Sequence, residues 1–228
     1  MVVTGASTGV GKSIAQYFTN ESYTVCGIAR SETKLETLGK ELGAHFEAYP
    51  CDVADKEAVQ STFDSLLKKH GKVDVLINNA GIVPKHPIDF DMIDQVIDTN
   101  LKGTMYCTYA VLPAMKQNGG GSIFNVASIA GVDIGHLGND GLYHASKFGQ
   151  VAFGEAVGKK YRKDGILVTT LSPGGIDTPL WNDENPYPFE QNTMIQPGEI
   201  AELIDYLLKK PKRLLFKNVI FVPTVEDW

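Results

Sequence analysis

Residues 1–21 read MVVTGASTGVGKSIAQYFTNE. Met1–Thr4 is a short apolar run of the kind that forms a buried strand. TGASTGVG at 4–11 then supplies Gly5, Gly9 and Gly11. KSIAQYFTNES follows, with Ile14, Ala15 and Phe18 on one face of a helix. A strand, a glycine turn and a helix together make a phosphate-binding arrangement. Glycines let the backbone approach the ligand, and the helix N-terminus offers free N–H groups and a positive dipole end. The strand begins with no lead-in, so a few residues are expected to be missing ahead of it.

Two motifs overlap in this turn. Gly-x-x-x-Gly-x-Gly resembles a dinucleotide turn, although the common spacing is Gly-x-Gly-x-x-Gly. Gly11-Lys12-Ser13 resembles the end of a triphosphate loop. The strict triphosphate pattern wants glycine where this chain has Ala6, and an aspartate closing an apolar strand to hold magnesium. The best apolar strand, VDVLINNAG at 73–81, opens with Asp74 and closes on Asn78-Asn79. Lys12 therefore reads as an exposed first-turn lysine.

Outward from the turn, strand and helix patterns alternate. YTVCGIARS is a strand ending at Ala29-Arg30. An acid at that end would accept from a ribose 2′-hydroxyl, whereas an arginine accommodates a 2′-phosphate. SETKLETLGKELG is a helix with a capping-box start at Ser31. HFEAYPCDV is a third strand, ending at Cys51-Asp52-Val53, and Asp55 caps a long helix running through His70. FDMIDQVIDTN leads into the long helix LKGTMYCTYAVLPAMKQNG, with Asn100 at the junction. GSIFNVAS is the fifth strand and delivers Ser128 at its C-terminal end, where open parallel sheets bind ligands. GILVTTLSPGGID is the sixth strand, turning at Pro173-Gly174-Gly175; PGEIAELIDYLLKK is the last helix and LLFKNVIFVP the last strand. Strands that read as continuous apolar runs between helices mean a parallel sheet covered on both faces.

YHASKFGQVAFGEAVGKKY at 143–161 is a helix that sets Tyr143 and Lys147 at i and i+4, on one face. A cation beside a phenol favours the phenolate, and a tyrosine that titrates near ~10 needs such help to exchange a proton at neutral pH. Ser128, fifteen residues before Tyr143, would hold an oxygen whose charge is changing. YxxxK alone is a weak motif; the other stretches give it weight. Residues 177 to 198 carry four prolines with Trp181, Tyr187 and Phe189, the composition of a loop or helix pair lying over a site.

At 228 residues the chain is expected to form a single domain, residues 1–228. A net charge of −6 argues against a nucleic-acid or acidic-membrane surface. No apolar run reaches the ~20 residues of a membrane span, and no signal peptide is read. Three widely spaced cysteines fit reduced thiols in the cytoplasm. The histidines fall in no metal-ligand spacing, so no metal is expected.

Taken together, these stretches resemble the short-chain dehydrogenase/reductase family across nearly the whole chain. The resemblance rests on TGASTGVG at 4–11, Asp52 in CDV, NNAG at 78–81, Asn100, Ser128, YHASK at 143–147 and SPGGIDT at 172–178, in register. It implies a three-layer α/β/α, Rossmann-like, doubly wound sheet of seven mostly parallel strands. It also implies a nicotinamide cofactor with its phosphates along Gly5, Ser7, Thr8, Gly9, Val10 and Gly11, and its adenine near Asp52 and Val53. Asn79, Ala80 and Gly81 would pack beside the cofactor. Pro173, Gly174, Ile176 and Thr178 would complete the site, the last two near the carboxamide. Tyr143 would donate the proton in reduction, Lys147 would lower its pKa and hold the ribose, Ser128 would hold the carbonyl oxygen, and Asn100 would anchor a relay water.

Arg30 fits members that prefer NADP(H), although Thr8 stands where some of them carry a basic residue; NAD(H) is the other possibility. The expected activity is hydride transfer between nicotinamide and a carbonyl or secondary alcohol, by a homodimer or homotetramer. The alternative is a catalytically silent NADP-binding regulator of the same fold. Trp181, Tyr187 and Phe189 favour an apolar or ring-bearing substrate, and Asp183 and Glu184 disfavour an anionic one.

Overall fold

The computed structural model describes residues 1–134, 141–182 and 186–226. Seven strands form one sheet: β1 (Val2–Thr4), β2 (Val25–Ala29), β3 (Phe46–Pro50), β4 (Val75–Asn78), β5 (Gly121–Val126), β6 (Ile166–Pro173) and β7 (Asn218–Phe221). Their order is β3-β2-β1-β4-β5-β6-β7, and every neighbouring pair is parallel. The expected doubly wound sheet is present, with its last strand parallel as well. The chain winds outward one way from β1 to β3 and the other way from β4 to β7. The switch point therefore lies between β1 and β4, and a crevice opens beyond their C-terminal ends.

Two cores hold helices to the two faces. On one face Ile14 and Phe18 of α1 (Gly9–Asn20), Leu35 and Leu38 of α2 (Glu32–Leu42) and Ile200 and Ile204 of α7 (Pro197–Leu208) pack on Val3, Ile77 and Leu171. On the other, Val59 and Phe63 of α3 (Lys56–His70), Val111 and Met115 of α5 (Gly103–Gln117) and Val157 of α6 (Gly141–Tyr161) pack on Val2, Leu76 and Ile123. Each large apolar side chain so buried contributes about 1.5–3 kcal/mol. The alternation of faces along β1 (Val2 to one core, Val3 to the other) is the period-2 rule of a strand.

Caps set the helix starts. Asp55 Oδ1 accepts from Ala58 N–H at 3.0 Å and opens α3. Ser31 Oγ accepts from Lys34 N–H at 3.4 Å and opens α2. The expected capping box is only half formed there, because its third helical position is Lys34, which has no carboxylate to return the bond. A full box opens α7 instead, between Gln196 and Glu199. All three cysteines are buried and free. Among the described residues no helix is long and apolar enough to cross a membrane.

Candidate active site

A cleft of about 450 Å³ lies at the switch point. It is lined by the glycine turn (Gly5, Ser7, Thr8, Gly9, Val10), by Ala29 and Arg30 at the end of β2, by Cys51, Asp52 and Val53 after β3, and by Asn79, Ala80 and Gly81 after β4. Thr178 closes the other side. Twelve of the residues expected to touch a cofactor thus share one concavity, although they come from five separate stretches.

The glycine turn is shaped by close approach. Gly5 has φ +67°, and a Cβ there would lie 2.9 Å from Ala80 Cα. Gly11 does not line the cleft but packs beneath it: a Cβ would lie 2.2 Å from Gly5 O. Thr8 precedes α1 with an extended backbone and no side-chain cap, which leaves the first N–H groups of α1 for a ligand. Lys12 pairs with Glu41 at 3.1 Å, so it is not turned into the loop as a triphosphate site would need. Thr4 Oγ1 accepts from the N–H groups of Asn79 and Ala80, each at 3.0 Å, and Asn79 Nδ2 donates to Thr4 O at 3.0 Å. These bonds join the ends of β1 and β4 on the cleft floor.

Arg30 is exposed at the rim, and Lys34 and Ser31 line the cleft beside it. Lys34 is a second cation that the motifs did not single out. It stands four residues beyond Arg30, in the first turn of α2, the turn whose start Ser31 caps.

The second half of the site stands on α6 and on the helix that ends at α5. α4 (Phe90–Val96) runs into α5 through a π turn over Ile97–Lys102, in which Gly103 N–H reaches back to Asp98 O. Such a widened turn reorients the side chains within it. Asn100, wholly buried, sits there. Its Oδ1 accepts from Ile82 N–H at 2.8 Å, and its Nδ2 donates to Ile82 O at 2.9 Å and to Ser146 Oγ at 3.1 Å. Ser146 Oγ donates to Tyr143 O at 2.7 Å. Gln150 Nε2 donates to Thr104 Oγ1 at 2.7 Å, and Thr104 Oγ1 donates to Asn100 O at 2.8 Å. The asparagine is a strut between the π turn, the segment after β4 and α6.

Ser128 follows β5 with extended backbone, and its Oγ accepts from Ala130 N–H at 3.2 Å. It also hydrogen-bonds with the Tyr143 side chain. Lys147 Nζ donates to Val126 O at 3.3 Å and lies 5.6 Å from the centre of the Tyr143 ring. Gly81 joins the two halves. A Cβ there would lie 3.4 Å from Asn100 Oδ1 and 3.5 Å from Lys147 Nζ, so the amine borders the cleft across a glycine.

Burial pushes the Tyr143 phenol up to about 12, and only the Ser128 hydrogen bond acts the other way. Burial brings the Lys147 amine down to about 7. The expected lowering of Tyr143 by Lys147 is therefore not a property of the protein groups alone. The low-polarity surroundings that bury both groups disfavour each charged form.

Ile176 and the Pro173-Gly174 turn stand apart from the cleft lining. Gly174 faces the C-terminal segment, where a Cβ would meet Glu226 Oε2 at 2.2 Å. Glu226, buried, accepts at Oε1 from Gly175 N–H (2.9 Å) and from Tyr187 Oη (2.6 Å). Tyr187 stacks edge-on with Trp181 at 5.1 Å and with Phe189 at 5.6 Å. The aromatic loop is thus pinned by a carboxylate 39 residues away from Tyr187, a partner no local pattern signals. Asp183 and Glu184 lie outside the described residues.

Residues 1–188 match the family described as short chain dehydrogenase. An uncharacterized oxidoreductase of Staphylococcus saprophyticus is 34% identical, with 97% of this chain and 96% of that protein aligned. A 3-ketoacyl-(acyl-carrier-protein) reductase from Brucella melitensis, solved with NADH, superposes with a TM-score of 0.89 at 25% identity, covering 98% of this chain and 96% of its own. A serine dehydrogenase solved with NADP+ superposes with a TM-score of 0.87 at 25% identity, covering 100% and 96%.

Proposed function

The chain belongs to the short chain dehydrogenase family of oxidoreductases, and we propose that it transfers hydride between NADP(H) and a ketone or secondary alcohol. The observation that carries this reading is the hydrogen-bonded pair Ser128–Tyr143, backed one helical turn on by buried Lys147.

The residues fit a nicotinamide dinucleotide. Gly5 and Gly9 keep positive φ beside the uncapped start of α1, a cradle for phosphate oxygens. Asp52 and Val53 would flank the adenine, Asn79, Ala80 and Gly81 the middle of the cofactor, and Thr178 the carboxamide. Ile176, Pro173 and Gly174 would support that end from behind. Arg30, with Lys34 and the hydroxyls of Ser7 and Thr8, would take a 2′-phosphate, and no acid stands at the end of β2 to claim the ribose hydroxyl. The bound nicotinamide supplies the hydride.

Tyr143 holds its proton at neutral pH and would give it to the carbonyl oxygen as the carbon is reduced. Ser128 donates to the same oxygen and steadies its developing charge. Lys147 would hold the ribose hydroxyls and the phenolate left behind. Asn100 keeps the surrounding segments in place, and a water held beside it would restore the tyrosine proton. The Trp181–Tyr187–Phe189 cluster supports an apolar or ring-bearing substrate. Tyr109 of α5, half exposed, stacks edge-on with Phe153 of α6 at 5.8 Å; that aromatic face would pair subunits in a dimer or tetramer.

The test is the absorbance of reduced nicotinamide, with NADPH and NADH offered separately against ketones, diketones, aldehydes and acyl thioesters. Turnover of a ketone with NADPH is expected. Tight cofactor binding with no turnover across the panel would overturn the catalytic reading. A phosphopantetheine-linked ketone as the best substrate would overturn the substrate reading.

A further inference from the structure

Cys26 and Glu47 are register partners on β2 and β3, so their side chains stand side by side on one face of the sheet. Each is the second residue of its strand, toward the sheet edge opposite the cleft. His70, the last residue of α3, closes over them. Its Nε2 lies 3.1 Å from Glu47 Oε2 and 3.7 Å from Cys26 Sγ, and the three donor atoms all fall within 4.8 Å of one another. Bond lengths of about 2.0–2.1 Å to N and O and about 2.3 Å to S place ligands of a tetrahedral zinc roughly 3.3–3.6 Å apart. The two separations from His70 Nε2 bracket that range.

The surroundings suit a cation. Cys26 is 3% exposed, while the Glu47 and His70 side chains are each 23% exposed, so the group is sheltered yet reachable from solvent. The C-terminal end of α3 directs its negative dipole end at the site. Tyr49 Oη donates to Glu47 Oε2 at 3.0 Å and fixes the carboxylate from behind, as outer partners of metal ligands do. Lys69 also reaches that oxygen, at 2.9 Å, but its side chain is 60% exposed and can swing into water.

We propose that Cys26, Glu47 and His70 form a three-ligand site for a zinc-class divalent metal, with the fourth position open to water. Thiolate, imidazole and carboxylate together select zinc or cobalt over magnesium or calcium. On binding, the Cys26 thiol loses its proton to solvent, His70 keeps its proton on Nδ1 and presents Nε2, and Lys69 leaves the carboxylate. The metal ties β2, β3 and α3 together at the edge remote from the cleft, so it acts on stability. Sequence spacing hides it, because 44 residues separate Cys26 from His70 and no two ligands share an element.

Titration of the full chain with Co²⁺ under a non-thiol reductant tests this. The expected result is a thiolate-to-cobalt charge-transfer band with tetrahedral visible bands, saturating at one equivalent and lost on adding Zn²⁺. Both Cys26→Ser and His70→Ala should abolish the band. Zn²⁺ at a hundredfold excess over its Kd should raise the wild-type Tm by about 5–10 °C. His70→Ala removes a partly exposed side chain and serves if Cys26→Ser fails to fold. A titration without the thiolate band, or a band that persists in either folded variant, overturns the proposal and leaves the three residues as an ion-pair network.

Discussion

Asn100 Nδ2 donates to Ser146 Oγ over 3.1 Å, and this bond joins the π turn to α6 about one turn after Tyr143 and immediately before Lys147. Ser146 in turn donates to Tyr143 O. The asparagine thereby positions the proposed acid from outside the cleft lining. Asn100→Ala would leave Ile82 N–H and O and Ser146 Oγ short of their partner in a buried setting. Each such loss costs about 1–3 kcal/mol. With Ile82 only half-buried and open to partial compensation by water, denaturant unfolding should show a drop near the low end of the three-bond sum, about 3–5 kcal/mol, with kcat falling more than cofactor affinity. Unchanged stability would remove Asn100 from the strut role.

The buried lysine makes a separate prediction about pH. Lys147 is brought down to about 7 in the folded protein, whereas an unfolded chain returns it to its ordinary value near 10.5. Between those values the unfolded state binds more protons, so stability rises with pH. The contribution is complete above the ordinary value and is lost as pH falls through about 7. Cofactor-free wild type should therefore gain on Lys147→Met as pH is raised from about 7 to about 9.5. Parallel stability curves for the two proteins would contradict the shift.

The proposed preference for NADP(H) rests on charge at the rim of the cleft. Arg30→Asp and Lys34→Glu should each raise the KM for NADPH by about ten- to a hundredfold, the worth of one charged hydrogen bond, and leave that for NADH much less affected. An equal effect on both cofactors would place the two cations elsewhere than at the 2′-phosphate.

Glu226 holds the aromatic loop through Tyr187 Oη at 2.6 Å and the Gly175 turn at 2.9 Å. Glu226→Gln keeps the shape but weakens the charge-assisted bonds, which are roughly twice as strong as neutral ones. Steady-state kinetics should show the KM for the carbonyl substrate rising while the KM for NADPH stays put. A change confined to NADPH would mean the latch serves the cofactor end.

Much of this was legible in the residues. The sheet was readable because apolar strand runs and amphipathic helices alternate along the chain, and the cleft because Gly5, Asp52 and Asn79 each follow a parallel strand. The clearest failures are long-range. Glu226 meets Gly175 across 51 residues, and Cys26 meets His70 across 44, pairings set by the sheet and not by local spacing. Lys34 was missed for a smaller reason: no local motif marks the first turn of α2 as a wall of the cleft, which only the packing of α2 beside β2 makes it. The direction of the Tyr143 shift was missed because a charge argument taken from i, i+4 spacing omits burial, which acts on phenol and amine alike.

The central claim is that Tyr143 is the proton donor of an NADP(H) enzyme, and Tyr143→Phe tests it with least disturbance. The ring and its packing stay; only the hydroxyl is lost. NADPH binding, followed by its fluorescence, should remain within a few-fold of wild type. Carbonyl reduction in the same preparation should fall by about 10²–10⁴-fold, the usual contribution of a positioned acid. Reduction at the wild-type rate with intact NADPH binding would contradict the assignment and move the proton to another group.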